Sequence, residues 1–497
     1  MGGFSKHNRV IYIIMVGAIL FYLPFISKQF MGDDWLWLAN AKMASVDPSI
    51  FLERPMYGYF RPLNMALIFI MLNLFGTNAW AFSLVNILLH ACNIWLLWIL
   101  LGRFNLSVSV RFLSALIFAF YALNASAIEW ISVGHDLWVT GLSLLFAYIT
   151  LQLIEKPAHS RFVLLWTVGF MAVLIKESGF VTIGIYFILL ILRGKSPFRR
   201  RFLIYSLVFI MTYLLYLYAY FITRSVSYTE LDLGVGTFIN LWYFMSHLAA
   251  PISKRIAEGL PARYLWIFKL CKIAIVMIVP VALIFIFAKA KTGCRFFILW
   301  SVMFVSTIAI IRWDIHPFSL YPEKTAARFM YSAVPGLAVA VAWFITTYFN
   351  RRAFNNVYVK SAVIIFYIAA NFLITHRISQ LYFNQQALTA SILEDFNTLE
   401  PILARSDTLV VLTGDMASTP QIIASGKHLH GIIYVTLDHE IKVIVEGREN
   451  YGTGDLLTDN GTLIIGWDIK KQRFMIPSIH RDLPLRNQID ITCTSEK

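Results

Sequence analysis

Two adjacent carboxylates, Asp33 and Asp34, stand directly after the first apolar run, in MGDDWLWLAN at 31–40. Like charges side by side repel, and charge at membrane depth is costly. A carboxylate in such a place can take a proton from an attacking hydroxyl. Further acids come from separate segments: Glu129, Asp136 with His135 beside it, Glu177, Asp314 and Glu323. Cations accompany them at Arg61, Lys176, Arg312 and Arg328. Arginine and lysine can hold and stabilise a departing phosphate. The mixture suits group transfer. Each piece also has a plainer reading. Asp33-Asp34 fits a solvated loop, Lys176-Glu177 a helix-end ion pair, Arg61-Pro62 a helix start, and His135-Asp136 a helix cap. Asn86, His90 and Asn93, on one face of a helix, fit interhelical hydrogen bonds better than a ligand.

The elements that position these groups follow from composition. The chain has 497 residues, 58% hydrophobic and 14% charged, and its mean hydropathy is +0.67. Soluble proteins are about 25% charged. The chain therefore reads as an integral membrane protein. Its formal net charge of +14 sits in short loops between apolar runs, which the positive-inside rule explains. No basic stripe interleaved with aromatics occurs in a polar segment, so nucleic acid is not an expected partner. The four cysteines, Cys92, Cys271, Cys294 and Cys493, have no zinc or disulfide spacing. No phosphate-binding glycine loop or dinucleotide fingerprint is present, so a soluble nucleotide donor has no support.

A membrane helix needs about 20 apolar residues, whereas shorter runs tend to be interfacial. Val10 to Ile26 follows Lys6 and Arg9 and lacks a small-residue cleavage site, so it reads as an uncleaved first helix. Leu63 to Phe75 is short. Placing it in the interface puts every basic loop on the cytoplasmic side, including 193–201, 289–295 and 351–360. The expected spans are 10–27, 80–101, 111–127, 137–153, 162–176, 178–192, 202–222, 264–288, 296–311, 329–349 and 359–375. That is about eleven helices, N-terminus inside and C-terminus outside. The candidate residues then gather in the outer loops, the first spanning 28–79. Trp35 and Trp37 read as interfacial anchors.

Residues 1–375 thus form the expected membrane domain. Residues 376–497 change character. ALTASILEDFNTLEPILA reads as a helix, while TLVVL, GIIYVTL, IKVIVEG and TLIIGW read as strands. The expectation is an all-α polytopic membrane protein with juxtamembrane helices in the first outer loop. A small C-terminal α/β domain follows on the outer side.

Four segments, taken in order, resemble the GT-C type glycosyltransferases. The pattern is that of the protein O-mannosyltransferases, the tetratricopeptide-bearing mannosyltransferases and the bacterial aminoarabinose transferase. The segments are GDDWLWLAN, YFRPLNMALIFIMLNLFGTNAWAFSLVNILLH, AVLIKESGF and AARFMYSAVPGLAV, and the resemblance covers roughly residues 10 to 350. It implies a sugar donor linked to a polyprenyl phosphate, used on the non-cytoplasmic face with inversion at the anomeric carbon. By position, Asp33 matches the catalytic base and Asp34 the second acid of the motif. Arg61, Lys176 and Arg328 are the candidates to hold the phosphate. Glu177, His135 and Asp136 are counted with the substrate-binding set. The chain lacks a tetratricopeptide array and a large inserted luminal domain. That points to a bacterial enzyme of the inner membrane, with its active site facing the periplasm. The hydroxyl acceptor, a lipid, protein or other glycan, stays open, as does a divalent metal ion. Two other readings compete: an O-antigen ligase or polymerase, using residues 223 to 263, and a lipid-glycan transporter.

Overall fold

The computed structural model describes residues 6–52, 59–195, 200–222, 234–249, 265–310, 326–348, 357–413, 423, 426–438, 440–447, 462–468 and 471–475. Arg312, Asp314, Glu323 and most of the loop between 223 and 263 lie outside the described residues. In chain order the helices are α1 (Lys6–Tyr22), α2 (Asp33–Met43), α3 (Pro62–Phe75), α4 (Ala79–Arg103), α5 (Val108–Phe120), α6 (Ala125–Glu129), α7 (His135–Glu155) and α8 (His159–Ile175). They continue as α9 (Val181–Leu192), α10 (Arg200–Ile222), α11 (Val235–Ala249), α12 (Leu265–Lys289), α13 (Thr292–Ala309), α14 (Val334–Tyr348), α15 (Val357–Leu403) and α16 (Gly426–Leu437). The strands are β1 (Thr408–Thr413), β2 (Lys442–Gly447), β3 (Thr462–Asp468) and β4 (Arg473–Met475).

The chain divides into two compact units. The first holds Met1–Ser27, Phe51–Leu67 and Trp80–Leu381; the second holds Lys28–Ile50, Ile68–Ala79 and Tyr382–Lys497.

Each expected span carries a described helix. Among the described residues, six helices are long and apolar enough to cross a membrane, or seven if α5 and α6 make one bent span. Leu207, Met211, Leu214 and Leu215 on α10, and Val363, Ile365 and Phe366 on α15, are exposed apolar residues. Lipid, not water, is the solvent that suits such faces.

The expected straight span over 111–127 is instead broken. Tyr121 is extended at φ −73 and ψ 125, and the two halves meet at 46°. A broken helix at membrane depth must have its backbone groups satisfied by protein. Here the Asn371 side chain accepts from the Ala122 N–H at 2.9 Å, and the Asn124 amide donates to the Phe118 carbonyl at 2.6 Å. The polar face of α4 does what its spacing suggests. Asn86 donates to the Ile128 carbonyl and Asn93 to the Leu137 carbonyl and the Tyr331 hydroxyl. His90 joins the Ala119 carbonyl to the Tyr331 hydroxyl, at 3.1 and 2.7 Å. These bonds tie α4 to the loop of α6, to α7 and to the turn before α14.

The second unit holds a four-stranded sheet of order β2-β1-β3-β4. β1 runs parallel to β2 and β3, pairing Thr408 with Lys442 and with Thr462. β4 returns antiparallel, with Trp467 opposite Phe474. Three of the four expected strands are strands. GIIYVTL is not; it forms the C-terminal part of α16. Two parallel neighbours in one sheet need a crossover. Leu429, Ile432 and Ile433 recur at helical spacing and are fully buried, so packing overrides the β-branched preference of the segment. The helix expected after residue 386 is the end of α15, 47 residues in one run.

Trp35 and Trp37 are not interfacial anchors. They are 1% and 4% exposed, and the Trp35 ring meets Phe30 edge to face, with centroids 5.4 Å apart. Burying that much aromatic surface against packed neighbours is favourable in itself.

Candidate active site

In the first unit four of the candidate residues converge at a break between α8 and α9. Lys176 is extended at φ −159 and ψ 148, and a 3-10 turn, Glu177–Phe180, leads into α9. Gly179 makes this turn possible. A Cβ there would lie 2.4 Å from the carbonyl carbon and oxygen of Ala172 and 2.6 Å from the Val173 nitrogen. The glycine thus lets the turn fold onto the end of α8, and Lys176 points inward.

Lys176 meets Asp136. Its Nζ lies 2.7 Å from both carboxylate oxygens, and the two side chains are 9% and 2% exposed. Asp136 sits in the first turn of α7, where free N–H groups and the helix dipole favour a negative charge. The Phe329 ring lies under the ammonium, 4.8 Å from Nζ to its centroid, a cation–π geometry. The Thr140 hydroxyl lies within hydrogen-bond distance of both the Asp136 carbonyl and the Ser332 hydroxyl, at 2.7 Å each. It links the start of α7 to the turn before α14. His135 Nε2 lies 3.6 Å from Asp136 Oδ2.

Arg61 meets Glu177. Its Nε is 3.1 Å from each carboxylate oxygen, and Nη2 is 2.6 Å from Oε2. Its guanidinium stacks on Tyr59, 4.4 Å from the ring centroid. Burial by itself would lower the Arg61 pKa, but the adjoining Glu177 carboxylate, with Tyr59 and Asp136, outweighs it and holds the pKa above its ordinary value. Pro62 opens α3, where a missing N–H costs nothing. The segment before it is tied down by the Tyr216 hydroxyl, which donates to the Phe60 carbonyl at 2.7 Å.

Arg61, Asp136, Lys176 and Glu177 all line one cavity of about 350 Å³. Its other walls are largely apolar: Phe180, Tyr216, Leu217, Phe304, Ile308 and Phe329. The cavity is thus amphipathic, with a charged end and a greasy wall. Two cations face two carboxylates, so these four groups sum to zero charge. Glu177, 28% exposed, is freer to move than Asp136, which is 2% exposed. The sequence signalled the residues of this cluster but not its pairing.

Other candidates fall elsewhere. Glu129 does not line the cavity. It is 1% exposed, accepts from the Ser379 hydroxyl at 2.6 Å, and its carbonyl accepts from Ser27. Arg328 belongs to the 3-10 turn Ala326–Ala333, and its side chain lies outside the described residues. Among the described residues, no group of three or more histidine, cysteine or acidic side chains could hold a metal ion.

Asp33 and Asp34 belong to the second unit, in the first turn of α2. Gly32 precedes them at φ +48 and ψ −118, a region that glycine enters without strain. The two acids have separate settings. Asp34 is 2% exposed, and its Oδ2 accepts from the Met31 N–H at 3.0 Å, closing the turn before the helix. Asp33 keeps a side chain 26% exposed, with Oδ1 3.3 Å from His428 Nε2. His428 was not among the residues singled out from the sequence. Nothing in its sequence neighbourhood points to a residue 395 positions away.

Two crystal structures share the fold along most of its length. ArnT from Cupriavidus metallidurans in the apo state is 13% identical, covering 90% of this chain and 87% of that one, with a TM-score of 0.50. ArnT from Cupriavidus metallidurans bound to undecaprenyl phosphate is 11% identical, covering 88% and 86%, with a TM-score of 0.53. No family profile and no curated protein sequence matches the chain. The chain is an integral membrane protein with the GT-C type fold that its four motifs led one to expect.

Proposed function

We propose that this protein is an inverting glycosyltransferase. It moves a sugar from a polyprenyl-phosphate donor to a hydroxyl acceptor, on the periplasmic face of a bacterial inner membrane. The observation that carries the reading is the cavity of the first unit, where Arg61 and Lys176 stand at the charged end of an otherwise apolar wall. A polyprenyl phosphate has the same division, an anion joined to a long hydrocarbon. The structural likeness to an ArnT bound to undecaprenyl phosphate adds support.

In this mechanism Asp33 accepts the proton of the acceptor hydroxyl as its oxygen attacks the anomeric carbon. The bond from that carbon to the donor's phosphate oxygen breaks, and its electron pair stays on the phosphate. The transition state has oxocarbenium character, as at other glycosyl centres. Lys176, Arg61 and Arg328 stabilise the charge that develops on the leaving phosphate. Asp136 and Glu177 hold Lys176 and Arg61 ready, and Glu177 yields its place on Arg61 when the phosphate arrives. His135 stands with Asp136 in the donor-binding set. Asp34 keeps the turn that presents Asp33. Residues 1–375 form the catalytic domain and 376–497 the extracytoplasmic domain. Two features favour this over a transporter: the acidic pair opening α2 and the paired cations of the cavity.

The test is transfer from a panel of labelled undecaprenyl-phosphate pentoses and hexoses, in membranes containing the full chain. Label should leave the lipid with the wild type and stay on it with Asp33→Asn. Full transfer by Asp33→Asn would remove Asp33 as the base. No transfer by the wild type from any donor would remove the reading.

A further inference from the structure

Within the second unit, α2 and α16 lie side by side and run in the same direction. His428 stands at Asp33, Gly431 at Trp35, and Tyr434 to Asp438 at Lys42. The approach is backbone to backbone at the middle. A Cβ on Gly431 would lie 2.9 Å from the Trp35 carbonyl oxygen and 3.1 Å from its carbon. At the far end Lys42 Nζ donates to the Tyr434 carbonyl at 3.1 Å and meets Asp438 Oδ1 at 2.6 Å. The near end is closed by His428, whose side chain is 3% exposed, on Asp33, whose side chain is 26% exposed. One oxygen of the carboxylate is thus held from inside the unit, and the side chain as a whole stays partly exposed.

We propose that His428 is the positioning residue for Asp33. Its Nε2–H donates to Oδ1 and holds the carboxylate in the rotamer from which it takes the acceptor's proton. The α/β body therefore contributes to the catalytic machinery through α16. This rests on the reading of Asp33 as the base. A base displaced by about 1 Å loses rate on the order of 100-fold, because the reacting atoms no longer meet.

The experiment compares His428→Leu, His428→Gln and Asp33→Asn in the full chain, with transfer from the labelled undecaprenyl-phosphate sugar that the wild type uses. His428→Leu should lower kcat about 10- to 100-fold, leaving the donor KM and the melting temperature unchanged. His428→Gln, whose Nε2–H can reach the same oxygen, should recover most of the rate. Adding His428→Leu to Asp33→Asn should change nothing further, since a positioning residue has nothing left to position. Wild-type kcat in His428→Leu, with Asp33→Asn inactive, overturns the positioning role and spares the base. A His428→Gln variant no better than His428→Leu, or a rate loss that follows a lowered melting temperature, also overturns it. Full activity of Asp33→Asn, or no wild-type transfer at all, overturns the reading beneath it instead.

Discussion

Removing the carboxylate of Asp136 should damage the protein more than removing the whole ion pair. Two unit charges 2.7 Å apart attract by about 6 kcal/mol at an effective dielectric of about 20, the separation being that of Lys176 Nζ from each Asp136 oxygen. Desolvation offsets most of that gain, because taking each ion out of water costs several kcal/mol. With side chains 9% and 2% exposed, neither group has much water to fall back on. Asp136→Asn therefore leaves a buried cation without its counter-ion and should destabilise by about 3–5 kcal/mol. Lys176→Met leaves a buried anion, with a loss of similar size. The double variant Asp136→Asn/Lys176→Met removes both charges and should lose less than either single variant, which makes the coupling larger than one single loss of about 3–5 kcal/mol. Equilibrium unfolding in mixed detergent micelles reads these differences. Donor binding is the second readout, with spin-labelled undecaprenyl phosphate as the probe. The double variant should regain stability and not regain binding, because the cation proposed to hold the phosphate is gone. A loss below about 1 kcal/mol for Asp136→Asn, the range of exposed pairs, would refute the buried pair. Regained binding in the double variant would refute Lys176 as a phosphate ligand.

Three further outcomes follow from the same geometry. Glu177→Gln leaves Arg61 without its carboxylate, so undecaprenyl phosphate should bind more tightly, read as a lower Kd; an unchanged Kd would mean that Glu177 does not occupy the phosphate's place. Gly179→Ala puts a Cβ 2.4 Å from the Ala172 backbone and should destabilise by about 1–3 kcal/mol through forced shifts, seen as a lowered melting temperature; the turn is looser than described if the temperature does not move. The hydrogen bond from Lys42 and its charge hold the Asp438 pKa below its ordinary value of 3.8. A depressed acid contributes stability above its unfolded pKa and loses it as the pH falls through the folded one. The Lys42 pair should therefore be intact at neutral pH and fail only below about pH 4, a loss that Asp438→Asn abolishes in pH-dependent exchange of the α16 amides.

Much of the fold was legible because its causes are local. A span needs only a run of apolar residues, so each of the eleven expected spans carries a helix. Alternation of short apolar runs marked β1, β2 and β3. Arg61, Asp136, Lys176 and Glu177 were legible as candidates because charge at membrane depth is rare and calls for a partner. GIIYVTL was misread for the opposite reason. Its β-branched residues favour a strand, and only the need for a crossover between parallel β1 and β2 makes it a helix. The break at Tyr121 was equally hidden. The side chain of Asn371 that satisfies it lies 249 positions away.

The sequence by itself determined the solvent, the apolar spans and which residues are candidates for chemistry, because hydropathy and charge are properties of each segment alone. Only the tertiary structure decided who meets whom. It paired Lys176 with Asp136 and Arg61 with Glu177, left those four groups with no net charge, and separated Asp34, closing a turn, from Asp33, facing His428. The physical reason is range. Burial and hydrogen bonding act over a few ångströms in space, and the residues they join stand tens to hundreds of positions apart in the chain.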